Sequence, residues 1–260
     1  MGDVPTESVQ AVIASFPEFF PTFKLNGKLI FDSKDAWVKN RNIIILGLAT
    51  TAGNLWGAIF KEVYRVLKKD GVFLFNVAAP KMSGPFVATQ VEAYGRPDIR
   101  IVFPYLIAES IIMSIPEFIL QADFTIVKIV SDDIKDIINK SDMMAMVDQE
   151  YVERMFLFTK IKENFKGVYN TGIVLGAPIP RPIDSTGEPL PLPFNELWLS
   201  YLIGVFTEPD DIILDPVAGT GTIIKVADKF GRKGIAYEIN PKMVGPAREK
   251  LSGLDVEFIL

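Results

Sequence analysis

Two acidic residues bracket the most chemically specific stretch of this chain. Asp215 ends the apolar run "DIILD", the glycine turn "PVAGTGT" follows, and Glu238 ends the next apolar run "GIAYE", 23 positions after Asp215. A strand, a tight glycine turn, a helix and a second strand ending in an acid let a backbone approach a nucleotide-like ligand and hold its ribose hydroxyls. Two familiar turns do not fit. A phosphate-cradling loop needs Lys after its last glycine, and Gly221 is followed by Thr222. A dinucleotide turn needs a third glycine where this chain has Ile224. Each acid has a plainer reading, Asp215 as a helix cap and Glu238 as a solvated strand end, but the ordered pair argues against both.

The remaining candidate is the S-adenosylmethionine turn of methyltransferases. There the glycines admit the methionine portion of the cofactor, and the acid on the following strand binds the ribose. The longer stretch "PLPFNELWLSYLIGVFTEPDDIILDPVAGTGTIIKVADKFGRKGIAYEINPKMVGPAREKL" resembles the cofactor half of the amino-methyltransferases, which methylate cytosine N4 or adenine N6 in DNA. Its matching pieces are Pro193–Leu197, Asp215–Thr222 and Glu238–Pro241. The opening "MGDVPTESVQAVIASFPEFF" and the later "FKEVYRVLKKDGVFLFNV" resemble the permuted branch of that family, in which the catalytic half comes first. The resemblance covers roughly residues 1–80 and 190–260. It implies S-adenosylmethionine as cofactor, held by Asp215, Pro216, Ala218, Gly219, Thr220, Gly221, Thr222 and Glu238, with Asp3 near the adenine.

The resemblance also implies that the chemistry lies near the amino terminus. Family members carry Asp/Asn/Ser-Pro-Pro-Tyr/Phe/Trp there, and the aligned residues are Ser15, Phe16, Pro17 and Glu18. An exocyclic amino nitrogen is a poor nucleophile because its lone pair is delocalised into the ring. The polar side chain and the carbonyl after it accept its two hydrogens, and the aromatic residue stacks on the flipped base. Serine in first place is the variant associated with cytosine N4. Phe16 keeps a carbonyl but not the rigidity of proline. Glu18 offers no stacking surface and is costly to desolvate beside a base. Phe19 or Phe20 is then the expected stacking group; the competing reading makes Phe16, Phe19 and Phe20 core residues after a strand.

Composition agrees with chemistry of this kind. The 260 residues contain no Cys and no His, which excludes disulfides, thiolate nucleophiles, Cys/His zinc sites and Ser-His-Asp triads. Cysteine-dependent methylation of cytosine C5 is excluded with them, and no metal site is expected. The start "MGDVPTESVQ" lacks a basic leader region, and the apolar stretch 101–120 is broken by Pro104, Glu109, Pro116 and Glu117. No membrane association is expected, and a cytoplasmic location is.

Those residues need a scaffold. Alternating apolar strands and amphipathic helices predict an α/β fold, a Rossmann-like methyltransferase sheet with helices on both faces. "SVQAVIAS" reads as a buried strand, Asn54–Gly71 as a helix capped by Asn54 and stopped by Gly71, and "VFLFNV" as the next strand. Phe124–Val130 and Met155–Ile161 read as strands, with two short helices between them capped by Ser131 and Ser141. The proline-rich 176–194 reads as an extended loop, and a helix over 195–206 precedes "DIILD". The expected division is a split methyltransferase domain, 1–80 plus 190–260, and an inserted lobe at 81–189 of target-recognition type. The permuted order places "DIILD" centrally and "VEFIL" near "SVQAVIAS".

DNA is the expected partner, although the charge is unhelpful. The segment 80–190 carries 11 Lys+Arg against 15 Asp+Glu, whereas duplex binding draws its affinity from cations on phosphates. A basic strip from Arg154 to Arg181, with Lys160, Lys162 and Lys166 against Glu163 alone, is the candidate DNA contact, and a solvated face is its plainer reading. The leading function is methyl transfer to a DNA base, cytosine N4 ahead of adenine N6. The rival is a methyltransferase-like protein without catalysis, a binding or structural subunit. A third reading is an RNA or small-molecule methyltransferase on the same scaffold. A homodimer or a methyltransferase-like partner subunit is compatible with the first two.

Overall fold

A computed structural model describes residues 1–16, 24–25, 28–29, 57–78, 108, 111–127, 152–161, 173–175, 194–254 and 256–259. The strands are β1 (Val9–Phe16), β2 (Lys24–Leu25), β3 (Lys28–Leu29), β4 (Leu67–Ala78), β5 (Ile119–Val127), β6 (Val152–Thr159), β7 (Ile173–Leu175), β8 (Ile212–Asp215), β9 (Lys233–Tyr237) and β10 (Val256–Ile259). The helices used below are α1 (57–66), α2 (Glu196–Phe206), α3 (Thr222–Lys229) and α4 (Pro241–Lys250). Apart from the small β2–β3 ladder, the strands form one eight-stranded sheet in the order β10-β9-β8-β1-β4-β6-β5-β7. Only β6 runs against the rest; every other neighbouring pair is parallel.

A parallel sheet must be covered on both faces, and its strands are accordingly apolar throughout. On one face Phe60, Val63 and Val66 of α1 meet Phe73, Phe75, Phe156 and Phe158, with Phe118 completing an aromatic cluster. On the other, Leu199, Leu202 and Ile203 of α2 and Ile223, Ile224, Val226 and Ala227 of α3 cover Ala11, Ile13, Val72, Leu74, Met155 and Leu157. The two-residue alternation of strands sends neighbours in sequence to these opposite faces. The expected α/β sheet with helices on both faces is what the chain builds. Among the described residues, no helix is long and apolar enough to cross a membrane.

Both ends of the chain share the sheet, as expected, but three placements differ. "VEFIL" does not lie beside β1: β10 pairs with β9 at the sheet edge, and β9 and β8 separate it from β1. Pairing partners are set by packing at long range, which the local pattern does not encode. The α1 helix ends at 66 rather than at Gly71. Its last carbonyls are taken from outside, by the amides of Glu7 and Ser8 donating to Arg65 and Val66, so the chain leaves the helix and enters β4 at Leu67. Gly71 lies within β4, where a Cβ would come within 2.9 Å of the Gln10 carbonyl. Finally, β5, β6 and β7 belong to the main sheet, so much of the described part of 81–189 is continuous with the core. Asn54, Ser131, Ser141 and the proline-rich 176–193 lie outside the described residues.

Candidate cofactor and catalytic site

The sheet order reverses between β8 and β1. From β8 the chain moves outward through β9 to β10, and from β1 it moves the other way to β4. Crevices at such a switch point, beyond the carboxyl ends of parallel strands, are where open α/β sheets take ligands. Asp215 is the last residue of β8 and Ser15 the penultimate residue of β1. Since Val12 pairs with Leu214, Ser15 projects about 7 Å further along than Asp215 on the adjacent strand.

The glycine turn is held by the acid opposite it. Glu238 follows β9 directly, and its Oε2 accepts from the Gly219 amide at 2.6 Å while Oε1 accepts from the Asn240 amide at 2.6 Å. The Ala218 amide donates to the Tyr237 carbonyl at 2.8 Å, tying the turn to the same strand end. Gly219 and Gly221 have φ of 54° and 78°, conformations that side chains with a Cβ resist. Their surroundings differ. A Cβ on Gly221 would meet Leu251 at 2.9 Å, whereas nothing lies within 4 Å of a Cβ on Gly219. Packing requires Gly221; Gly219 leaves open space over the turn.

Asp215 is 1% exposed, and its Oδ1 accepts from the Val217 amide at 3.1 Å. Burial, reinforced by the nearby Glu238 charge and only partly offset by the Val217 hydrogen bond, pushes its pKa from the ordinary 3.8 up to about 8. Pro216 and Ala218 are buried beside it. Gly221 caps α3 without a side-chain hydrogen bond, and Thr222 opens the helix. The Lys250 ammonium donates to the Thr220 and Thr222 hydroxyls at 2.9 and 3.0 Å, and burial lowers its pKa. This set fits an S-adenosylmethionine-sized ligand. It offers open space over the turn, a carboxylate with lone pairs left for ribose hydroxyls, and a buried carboxyl that a cation would stabilise.

On the catalytic side, Ser15 is half-buried and its Oγ accepts from the Asn76 Nδ2 at 3.1 Å. Phe16 ends β1, paired with Val77 of β4. Pro17 and Glu18 lie outside the described residues, as do Phe19 and Phe20. Asp3 is exposed in a turn whose flanking carbonyls, Met1 and Val4, both accept from Arg65. Four contributors escaped the sequence reading: Asn76, Glu153, Lys250 and Ile239. A lone amide inside "VFLFNV" was the visible signal for Asn76, and an apolar residue after the acid was the signal for Ile239, which is 94% exposed. Two cations of the expected basic strip are engaged within the fold. Arg154 pairs with Asp123 at 3.2 Å, and Lys160 is largely buried over the Tyr64 ring with Glu7 at 3.8 Å.

A parallel sheet with a switch point, a glycine turn and an acid gripping that turn defines the cofactor-binding α/β fold of the methyltransferase class. Comparison with known proteins narrows the class. The chain belongs to the N6/N4 DNA methylase family, whose model matches residues 54–249. The Type II methyltransferase M.XycI of Xanthomonas campestris pv. cyanopsidis is 29% identical over 236 residues, spanning 78% of this chain and 72% of that protein. Among solved structures, the PvuII DNA methyltransferase (cytosine-N4-specific) superposes with a TM-score of 0.56 at 18% identity, covering 96% of this chain and 81% of that one. The DNA modification methylase TTHA0409 of Thermus thermophilus, solved in complex with S-adenosyl-L-methionine, gives 0.53 at 16% identity, covering 99% of this chain and 93% of its own.

Proposed function

We propose that this chain is an active S-adenosylmethionine-dependent methyltransferase that modifies an exocyclic amino group of a DNA base, cytosine N4 ahead of adenine N6. The observation carrying the proposal is convergence at one switch point: Ser15 at the end of β1 stands beside the Asp215–Gly219–Glu238 cradle at the end of β8 and β9. S-adenosylmethionine is the cofactor, and when bound it supplies an electrophilic methyl group. Glu238 accepts the ribose hydroxyls with the lone pairs that Gly219 and Asn240 leave unused. Ile239 offers an exposed apolar surface to the adenine ring, and Asp3 is assigned to its polar edge. Asp215 pairs with the cationic part of the methionine moiety, while the start of α3 and Lys250 favour its carboxylate.

Ser15 Oγ accepts one hydrogen of the target amino group, and the backbone carbonyl at Phe16 accepts the other. Pro17 fixes the loop, and Glu18 turns away from the base so that Phe16, Phe19 or Phe20 provides the stacking face. The preference for cytosine N4 rests on serine in first place and on the fold shared with a cytosine-N4-specific enzyme. DNA contacts are assigned to the segments between β4 and α2 rather than to Arg154 and Lys160, whose charges are engaged within the fold.

The test is transfer of a tritiated methyl group to mixed DNA, RNA and protein, followed by nucleoside separation of the labelled product. Label in N4-methylcytosine is the expected result. Label in N6-methyladenine would keep the reaction and overturn the base. Cofactor binding without transfer to any substrate would favour the non-catalytic subunit, in which Glu18 occupies the base pocket.

A further inference from the structure

Behind Ser15 lies a buried polar chain that methyl transfer as proposed does not yet use. Asn76 is fully buried, and its Nδ2 donates both to Ser15 Oγ at 3.1 Å and to Glu153 Oε2 at 2.6 Å. Glu153 is 6% exposed. Alternation puts Ser15, Asn76, Glu153 and Asp215 on one face, since each continues a row of residues packed against α2 and α3. The reversed direction of β6 is what delivers Glu153 there: its first residues lie level with the last residues of β4, with Ala78 opposite Glu153.

A carboxylate accepts hydrogen bonds and cannot donate them. Glu153 therefore dictates which end of the Asn76 amide faces it, and the same NH2 group must then face Ser15. The Asn76 Oδ1 is left buried without a partner, an arrangement that costs about 1–3 kcal/mol and that an amide free to rotate would avoid. Ser15 Oγ consequently receives a hydrogen bond from the protein and cannot give one back to Asn76. Its hydroxyl hydrogen points outward and one lone pair remains for the target amino group.

The geometry points to Glu153 and Asn76 as positioning residues that fix the hydroxyl of Ser15 as a donor toward the target base. This inference rests on Ser15 lying in the proposed methyl-transfer site. The base that fits has a ring-nitrogen acceptor directly beside its amino group, so that Ser15 accepts from the amino group and donates to the ring nitrogen. Both cytosine and adenine present that pair.

The experiment uses Glu153→Leu, Glu153→Gln, Ser15→Ala and the Glu153→Leu/Ser15→Ala double variant of the full chain. The side-chain amide protons of Asn76 are followed by NMR, a readout independent of turnover. Ser15→Ala should shift one of the two protons and Glu153→Leu the other, with the remaining spectrum intact as evidence of folding. In methyl transfer, Glu153→Leu should lower kcat on the order of 10- to 100-fold through misplacement of one group, with KM and cofactor affinity unchanged. Glu153→Gln should fall between, because its amide can face Asn76 either way. In the Ser15→Ala background, Glu153→Leu should cost nothing further. An equal loss in that background, or Asn76 protons indifferent to both substitutions, overturns the inference. If the wild type transfers no methyl group, the proposed function fails by itself and the Asn76 protons alone decide the positioning chain.

Discussion

The buried carboxyl of Asp215 makes cofactor affinity a function of pH. Its pKa of about 8 means that in the free chain at neutral pH it mostly carries a proton. A cationic ligand beside it favours the carboxylate, so binding below pH 8 must release that proton. With a bound-state pKa well below the range studied, the apparent dissociation constant rises about tenfold for each pH unit below 8, so affinity at pH 6 is about 100-fold below its limit. The useful window is about pH 5.5 to 7.5, below the titration of the ligand's own amino group at about 8. Isothermal titration in buffers of different ionisation enthalpy should count about one proton released per cofactor bound. Asp215→Asn keeps the acceptor for the Val217 amide but cannot ionise, so its affinity should be flat across the window and lower at the alkaline end. The same residue acts in the opposite sense on stability. Its folded pKa lies above the unfolded value of 3.8, so the folded chain binds the extra proton and loses stability as pH rises from about 4 to about 8, at up to roughly 1.4 kcal/mol per unit. Asp215→Asn should therefore melt higher than the wild type at pH 7 when no cofactor is present. A wild-type affinity independent of pH, or an Asp215→Asn variant with the same slope, refutes the reasoning.

Other substitutions separate the two glycines and test the acid. Glu238→Gln places an NH2 against one of the two amides that Glu238 now accepts from, so cofactor affinity by calorimetry should fall by about one to two decades. Gly221→Ala combines a positive φ with a clash on Leu251 and should lower stability by about 1–3 kcal/mol in chemical denaturation. Gly219→Ala should cost only about 1–2 kcal/mol of backbone strain yet weaken cofactor binding more than Gly221→Ala, because its methyl enters the open space above the turn. Ser15→Ala should reduce methyl transfer about 100- to 1,000-fold and leave cofactor affinity, measured separately, where it was.

The cofactor side of the site was legible because it is local. Asp215, the glycines and Glu238 occupy one strand–turn–helix–strand unit, and Asn195 caps α2 through its Oδ1 to the Leu197 and Trp198 amides as the sequence suggested. What escaped was set by distant partners. The end of α1 depends on amides from residues 7 and 8, and the place of β10 depends on β9 rather than β1. Glu153 reads in sequence as one acid among eight between residues 123 and 153; only the antiparallel register of β6 against β4 makes it a buried neighbour of Asn76. The strands contributed by residues 119–175 were hidden for the same reason, since their membership of the sheet is a matter of pairing and not of pattern.

The position of β1 has a consequence for how the chain is made. Its residues 11 to 14 are wholly buried between β4 and β8, and the strand that closes its second edge begins at Ile212. During synthesis at about 5–20 residues per second, β1 therefore waits on the order of 10–40 s with one apolar edge unpaired. Through that interval the nascent chain presents a template for any extended strand nearby. The cradle that would bind the cofactor is made of the same late segment, so cofactor cannot steady the early half. Protection of that edge must come from α1 and β4, the neighbours already synthesised, or from a chaperone.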